Sequence, residues 1–428
     1  MTAILLVNPP IYDFSAYDFW LRPYGLLRVA GFFQHGVQMT LFDFLDRSSP
    51  QMPRSSNSRT DPFGRGAFYS ERIPKPPVFA DIPRYFKRLG IPRDRFRNFL
   101  TEHNQFDFAL IQTSMTYWYP GVKEVIEDIR KFAPRMKIIL GGVYASLCPH
   151  HAHLLGPDLV VQGISCEPLS RLIDIKPDLT KTPFWQAYPV LPFAVLKISQ
   201  GCPFNCTYCS TPLIYPRFSH RPLDEVLEEF ELLSSRGVKD IAFYDDALLF
   251  KPQVVLIPFL EKVLAANSGI NFHTPNALHA CFITKDLAAL MVRAGFKTFY
   301  LGFESANSDW QKRTGSKVYP ENLAQAVRNL LAAGADPAGI KAYQIIGHPL
   351  AGISQAEQSM KFINSLGIGI VLADFSPIPG TPDAEAAKKW TDIAEPLNHN
   401  KTAFTIRRLG YERTNDLKNL RKKLNRRL

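Results

Sequence analysis

A chain of 428 residues exceeds what one hydrophobic core usually organises, so two domains are expected. With 46% hydrophobic and 21% charged residues the composition is globular, and no apolar run approaches the roughly 18 residues that would cross a bilayer. Six cysteines are too few for a disulfide framework, and the net charge of +11 is concentrated from Lys401 onward, where ten Lys or Arg face only Glu412 and Asp416, which implies a basic tail and not a uniformly basic nucleic-acid surface.

In chain order, residues 4–7 (Ile-Leu-Leu-Val) form an apolar segment preceded by no basic leader and followed by Asn8-Pro9-Pro10. A first strand is expected here, not a signal peptide, and unpaired cysteines without an export signal point to a reducing cytoplasm. Residues 25–34 have helical spacing, with Leu26, Leu27, Val29, Ala30 and Phe33 inward. Residues 39–42, 109–112, 138–140 and 159–161 read as further buried strands, with a helix over 119–132. Buried strands interleaved with helices predict an α/β domain over 1–183, built on a doubly wound, Rossmann-like parallel sheet.

About 47–92 interrupt this pattern. The stretch is rich in Pro, Arg and Ser, yet it holds Phe63, Phe68, Tyr69, Phe79, Tyr85 and Phe86. Its composition alone allows disorder; its aromatics favour an ordered insertion wrapped over the domain or the mouth of an active site.

Residues 184–192 read as a linker. Six strand-like segments follow, 194–198, 240–244, 270–273, 298–302, 341–346 and 370–375, most with an amphipathic helix behind them, such as Leu223, Val226, Leu227, Phe230 and Leu233, or Leu287, Leu290 and Met291. Over 193–385 these predict a partial (β/α)6 TIM-like barrel with functional residues at the carboxyl ends of its strands. The remainder, 386–428, is expected to be a basic helical tail whose Leu409, Leu417, Leu420, Leu424 and Leu428 mark a surface helix with a solvated face.

The most informative motif follows the first barrel strand: Cys202-Pro203-Phe204-Asn205-Cys206-Thr207-Tyr208-Cys209. Three cysteines on one short loop can reach three corners of an iron–sulfur cube. An electron-transfer cluster is usually closed by a fourth cysteine, and the remaining cysteines, Cys148, Cys166 and Cys281, are remote in sequence. An open metal position is where chemistry occurs. The alternative is a zinc knuckle, for which His220 is the nearest fourth ligand. Polar clusters sit at successive strand ends: Tyr244-Asp245-Asp246, Asn276, Gly302-Phe303-Glu304-Ser305, Gly347-His348-Pro349 and Ser376 to Thr381. Each has a bland reading as a cap or turn, but their repetition around one mouth points to a cofactor site.

The cysteine loop, with an aromatic before its last cysteine, resembles the signature loop of the radical S-adenosylmethionine (SAM) enzymes. The resemblance extends from about Ile4 to Thr381, and the barrel is similar to the branch containing the methylthiotransferases and cobalamin-dependent enzymes. It implies that Cys202, Cys206 and Cys209 hold a [4Fe-4S] cluster whose open iron chelates SAM, which is cleaved to a 5′-deoxyadenosyl radical. It further implies that Tyr208 packs near the adenine, that Asp245 and Glu304 contact the methionine or ribose of SAM, and that Asn276 and Gln344 add contacts. Arg221 is either a partner for the SAM carboxylate or a surface arginine at a helix start.

The N-terminal half resembles the cobalamin-binding domains fused to such barrels, in Pro23-Tyr24-Gly25-Leu26-Leu27, Thr113-Ser114-Met115-Thr116, Gly141-Gly142-Val143 and Gly163-Ile164-Ser165-Cys166-Glu167-Pro168. Ser114, Thr116, Gly141, Gly142 and Gly163 are the implied cofactor contacts, the glycines letting backbone approach a flat ring. The loop from Asn8 to Tyr24 contains no histidine, so cobalt is expected to lack a protein ligand if cobalamin binds. Tyr117-Trp118-Tyr119 is either an apolar floor below the corrin or core packing.

The expected function is therefore radical SAM chemistry, with cobalamin-assisted methylation or a related modification of an unactivated carbon. An RNA-modifying enzyme is the alternative within the same chemistry. No cysteine precedes Cys148 and about 47 residues follow Thr381, which argues against it. An iron–sulfur or corrinoid sensor is the alternative from another class. The expected partners are an unidentified substrate and a reductant such as ferredoxin or flavodoxin, with neither nucleic acid nor a membrane span.

Overall fold

Residues Ala3 to Val7 are buried throughout, as a strand covered on both faces must be. In the computed structural model of the chain, which describes residues 2–53 and 60–426, they belong to β1 (Thr2–Asn8). Then come α1 (Tyr24–Phe33), β2 (Val37–Asp43), β3 (Phe108–Thr113), α2 (Tyr119–Phe132), β4 (Lys137–Gly142) and β5 (Leu159–Val161). All pairs in the sheet are parallel, in the order β5-β4-β3-β1-β2. Strand alternation divides the core. Ile4 and Leu6 pack with Leu26, Ala30 and Phe33 of α1, whereas Leu5 and Val7 pack with Val122, Val125 and Ile129 of α2. This is the expected doubly wound α/β architecture.

The interrupting stretch is ordered where it is described; residues 54–59 lie outside the described residues. Ser70–Ile73 and Phe86–Leu89 pair antiparallel, and the latter also pairs with Ile11–Asp13. Phe79 and Phe86 pack edge-on against Phe14 at ring separations of 5.1 and 5.3 Å. Arg88 makes a buried ion pair with Glu124 of α2 at 2.7 Å. Aromatic burial, not regular periodicity, gives this segment its structure.

Two compact units meet in sequence at Pro192/Phe193. The stretch expected to be a linker is not a free tether, because Trp185 is fully buried and the buried Tyr188 hydroxyl donates to Asp43 of β2.

In the second unit, β6 (Ala194–Leu196), α3 (Leu223–Ser235), β7 (Asp240–Phe243), β8 (Asn271–His279), α4 (Lys285–Arg293), β9 (Phe296–Glu304), β10 (Ile340–Ile346) and β11 (Gly369–Asp374) follow in order, with further helices over Leu256–Ala266, Pro320–Ala332 and Ile353–Ser365 ahead of β8, β10 and β11, so that strand alternates with helix. The six strands are parallel and ordered as in sequence, β6 and β11 being the two ends. That is the predicted partial barrel. After it come α5 (Pro382–Ala387) and α6 (Tyr411–Asn425). Leu417 and Leu424 of α6 are buried and Leu409 and Leu420 partly so, while Arg413, Lys422 and Lys423 face solvent; Leu428 lies outside the described residues. Among the described residues no helix is long and apolar enough to cross a membrane.

Candidate functional site

The cysteine loop is held in place from below. After β6 the chain forms a short antiparallel pair, Ser199–Gln200 with Ser219–His220, and then turns into Gly201 and Cys202. The buried Asp245 carboxylate, at the end of β7, accepts from Ile198 N at 3.1 Å, Ser199 N at 2.6 Å and Ser199 Oγ at 2.5 Å. Burial pushes its pKa up to about 6, against the pull of these donors and of Lys197. Asp245 is thus committed to fixing the strand end that launches the loop. Asp245, expected as a SAM contact, is not among the residues lining the cavity; its neighbour Asp246 is. The sequence pair Asp-Asp contained both residues, but only strand register tells which one turns outward.

Cys202, Cys206 and Cys209 line one cavity of about 370 Å³ together with Tyr208 and Asn276. Lys317, His279 and Tyr343 complete its polar wall. Burial pushes the Cys202 thiol up to about 11 and raises Cys206 too, the latter opposed by the Lys317 ammonium. A bound iron would reverse that balance, since a metal ion deprotonates a coordinating thiol outright. The Cys209 sulfur accepts from Thr211 N at 3.5 Å and donates to Thr211 Oγ1 at 3.3 Å, the kind of contact that tunes a cluster. Among the described residues no three His, Cys, Asp or Glu converge on a single ion. A cube engages each thiolate through a different iron, and three thiols lining one cavity fit that donor set. His220, the candidate zinc ligand, instead faces the Phe250 carbonyl at 3.3 Å.

Asn276 sits within β8, and its amide nitrogen donates to the carbonyls of Tyr244 at 2.9 Å and Asp245 at 3.3 Å. With both N–H groups taken, its oxygen is the group left to accept from a ligand. Glu304 is buried in a left-handed conformation, φ +67°, at a bulge in β9. Such strain is often held at functional sites. Burial raises its pKa while the Lys317 ammonium lowers it. Glu304 does not line the cavity, yet its charge is felt at Cys206 and Tyr208.

Two further candidate residues lie outside the cavity lining. Gln344 follows the cavity-lining Tyr343, so strand alternation turns it away; it is buried, donating to Ile345 O at 2.8 Å with Oε1 unpartnered. Arg221 is neither a surface residue nor a cavity residue. It is buried and donates to Glu229 Oε2 at 2.6 Å and to Lys197 O at 2.7 Å.

Lys317 and His279 were not read from the sequence. Lys317 lies in the irregular loop between two helices, and only the bare Gly302 leaves space for it: a Cβ there would sit 2.9 Å from Lys317 Nζ. His279 packs between Phe204 and Phe282 at ring separations of 4.6 and 4.8 Å, its Nδ1 buried without a partner. Burial, helped by the Lys317 ammonium, lowers its pKa to about 4. Neither residue carries a pattern; each acquires its place from tertiary contacts.

In the first unit, Ser114, Gly141 and Gly163 lie at the carboxyl ends of β3, β4 and β5, and exposed Met115, Val143 and Ile164 stand beside them. A Cβ at Gly141 or Gly163 would meet nothing within 4 Å. Gly142 differs. Its φ is +110°, and a Cβ there would lie 2.3 Å from Thr113 O, so the glycine is demanded by strand packing and not by a ligand. Thr116 and Tyr117 are buried, Trp118 Nε1 donates to Asp13 at 2.9 Å, and Tyr119 stacks on Tyr144 at 6.0 Å. The aromatic triplet is therefore core packing, not a floor for a corrin.

Residues 196–363 match the sequence model of the Radical SAM superfamily. The chain is 29% identical over 195 residues to an uncharacterised methyltransferase of Pyrococcus horikoshii, covering 45% of this chain and 41% of the relative. It is 27% identical over 287 residues to bacteriochlorophyllide d C-12(1)-methyltransferase of Chlorobaculum tepidum, covering 59% of this chain and 60% of that protein. The chain thus spans about half the length of these curated relatives. Among solved structures it is similar to the radical S-adenosylmethionine methyltransferase TsrM of Kitasatospora setae, determined with cobalamin and a [4Fe-4S] cluster bound, at TM-score 0.68 and 14% identity over 98% of this chain and 91% of that one. At that identity the likeness is one of fold. Residues 196–363 thus match the Radical SAM superfamily, and the fold around them is shared with a radical SAM methyltransferase.

Proposed function

We propose that the protein is a radical SAM enzyme that uses cobalamin to methylate an unactivated carbon. One observation carries this reading: three thiols within eight residues line a single cavity in a six-stranded parallel sheet. Cys202, Cys206 and Cys209 are the cluster ligands, leaving one iron for the amino and carboxylate groups of SAM. When bound, such a cluster supplies the electron that splits SAM into methionine and a 5′-deoxyadenosyl radical able to abstract hydrogen from substrate. Cobalamin supplies a methyl carrier, and its place in this reading is the carboxyl edge of the first sheet, beside Gly141, Gly163, Met115, Val143 and Ile164. The exposed apolar residues and open glycines there support it.

The chain's own residues hold and orient. The Lys317 ammonium is the cation available to a carboxylate in the cavity, and the Asn276 oxygen is an acceptor for an amino or hydroxyl group. Tyr208, stacked on Trp310 at 5.8 Å, gives the cavity an apolar face. Phe204, His279 and Phe282 form an aromatic wall that excludes water from one side. A low-potential ferredoxin or flavodoxin is the proposed reductant.

The test is anaerobic turnover of reconstituted protein with SAM, cobalamin and a one-electron reductant such as reduced flavodoxin. Methylation through cobalt uses SAM twice, so S-adenosylhomocysteine and 5′-deoxyadenosine should form together. 5′-Deoxyadenosine without S-adenosylhomocysteine would leave a radical enzyme that does not methylate. Neither product would overturn the reading.

A further inference from the structure

Strand β11 ends the parallel order, so its outer edge has no strand partner among the described residues. One peptide there is satisfied by a side chain. Asn425 of α6 accepts from Ile370 N and donates to Ile370 O, both at 3.0 Å. Two residues on, alternation turns the N–H and C=O of Leu372 to that same edge.

A second cavity, of about 220 Å³, opens at this edge, and Leu372 and Asn425 line it with three cations, Lys341, Lys418 and Arg421. A single carboxylate answers them: Lys418 Nζ lies 3.2 Å from Asp374 Oδ2. Among the described residues neither Lys341 nor Arg421 has an acidic partner. The Lys341 ammonium lies 5.6 Å from the centre of the Tyr300 ring, and Arg421 Nε is buried without any acceptor. A buried donor left unpaired is unfavourable, and a ligand acceptor would relieve it. Two unanswered cations, a half-answered third and a strand-edge N–H thus surround one concavity.

We propose that this cavity is an oxyanion site for the phosphate or carboxylate group of a small ligand. Arg421 supplies the directional donors, Lys341 and Lys418 supply charge, and the Leu372 N–H is placed as a backbone donor. No residue lines both this cavity and the cysteine cavity, but two rings lie between them: the Tyr300 ring under Lys341 lies 5.7 Å from that of Tyr343, which lines the cysteine cavity.

The test is calorimetric titration of the full chain at low ionic strength with inorganic phosphate and, separately, with acetate. At least one should bind saturably, and which one identifies the oxyanion. Lys341→Met and Arg421→Met should each weaken that binding about tenfold, the worth of one charge-assisted hydrogen bond. Lys422→Met, on the same helix but facing solvent, should leave it unchanged. If Arg421→Met does not fold, Lys341→Met on its strand decides alone. No saturable binding of either probe, or equal weakening by Lys422→Met, would overturn the proposal. The measurement needs neither cluster nor SAM, so its outcome is independent of the proposed reaction.

Discussion

His348 Nε2 lies 2.9 Å from Asp383 Oδ2, and the same carboxylate oxygen accepts from Thr207 Oγ1 at 2.6 Å. On the other side of the ring, His348 Nδ1 accepts from Trp310 Nε1 and Leu350 N, both at 3.1 Å. Those two bonds require Nδ1 to carry no proton, so Nε2–H is the donor to Asp383. The result is a buried chain from β10 through α5 to Thr207, which stands between the ligand candidates Cys206 and Cys209. Asp383 N also donates to Thr207 O at 3.2 Å, closing the clamp through the backbone.

Asp383→Asn should loosen this clamp. An amide placed there turns a donor or a single acceptor toward two donors that now share one oxygen. Stability should fall by about 2 kcal/mol, the range for leaving a buried group unpaired, and iron retained after desalting should fall with it. Thr207→Val removes one donor and should have the smaller effect on both denaturant midpoint and iron content. If Asp383→Asn keeps wild-type iron and stability, the clamp does not position the loop.

The depressed pKa of His279 has a defined pH signature. Its folded value of about 4 lies below the ordinary 6.5, so the unfolded chain takes up the proton first as pH falls. Its contribution to stability is complete above pH ~6.5 and is lost from there down toward pH ~4, by at most about 1.4 kcal/mol per pH unit. Asp245, raised to about 6, acts oppositely and loses stability as pH rises through that value. The two separate in a variant. His279→Phe, set between Phe204 and Phe282, should gain stability relative to wild type as pH falls from 6.5 to 4. A constant difference in denaturant midpoint across that range would show that the imidazole is not held neutral.

Adjacent glycines in the first unit should respond differently. Gly142→Ala drives a Cβ to 2.3 Å from Thr113 O at φ +110° and should destabilise the unit by about 1–3 kcal/mol. Gly141→Ala meets nothing within 4 Å and should leave thermal stability unchanged. If cobalamin lies along this edge, Gly141→Ala or a larger residue there should reduce corrinoid retained through gel filtration. Full retention in Gly141→Phe would remove the carboxyl edge at Gly141 as the corrin site.

Much of this was legible in the sequence. The six barrel strands showed as apolar segments because both faces of a parallel sheet are covered, and the cysteine spacing identified the loop because few structures need three thiols in eight residues. Side-chain direction was less legible. Asp245 and Asp246 are adjacent in sequence but opposite in role, and Gln344 is turned away because Tyr343 is turned in. The Arg221 ion pair was not legible because its partner, Glu229, lies two helical turns on, where only a completed helix brings the carboxylate back. Lys317 belongs to an irregular loop, which has no period to read. The stretch read as a linker escaped because its anchors, Trp185 and Tyr188, pack against distant residues such as Asp43.

The central claim rests on three thiols, and one measurement tests it most directly. Anaerobically reconstituted protein should hold about four irons in a cubane, with a reduced electron-spin spectrum that changes when SAM is added. Cys202→Ala, Cys206→Ala and Cys209→Ala should each abolish that spectrum and SAM cleavage. Cys281→Ala, whose sulfur faces Lys317 O at 3.5 Å outside the cavity, should keep both, as should Cys148→Ala and Cys166→Ala. A full, SAM-responsive cluster in Cys206→Ala would contradict the account.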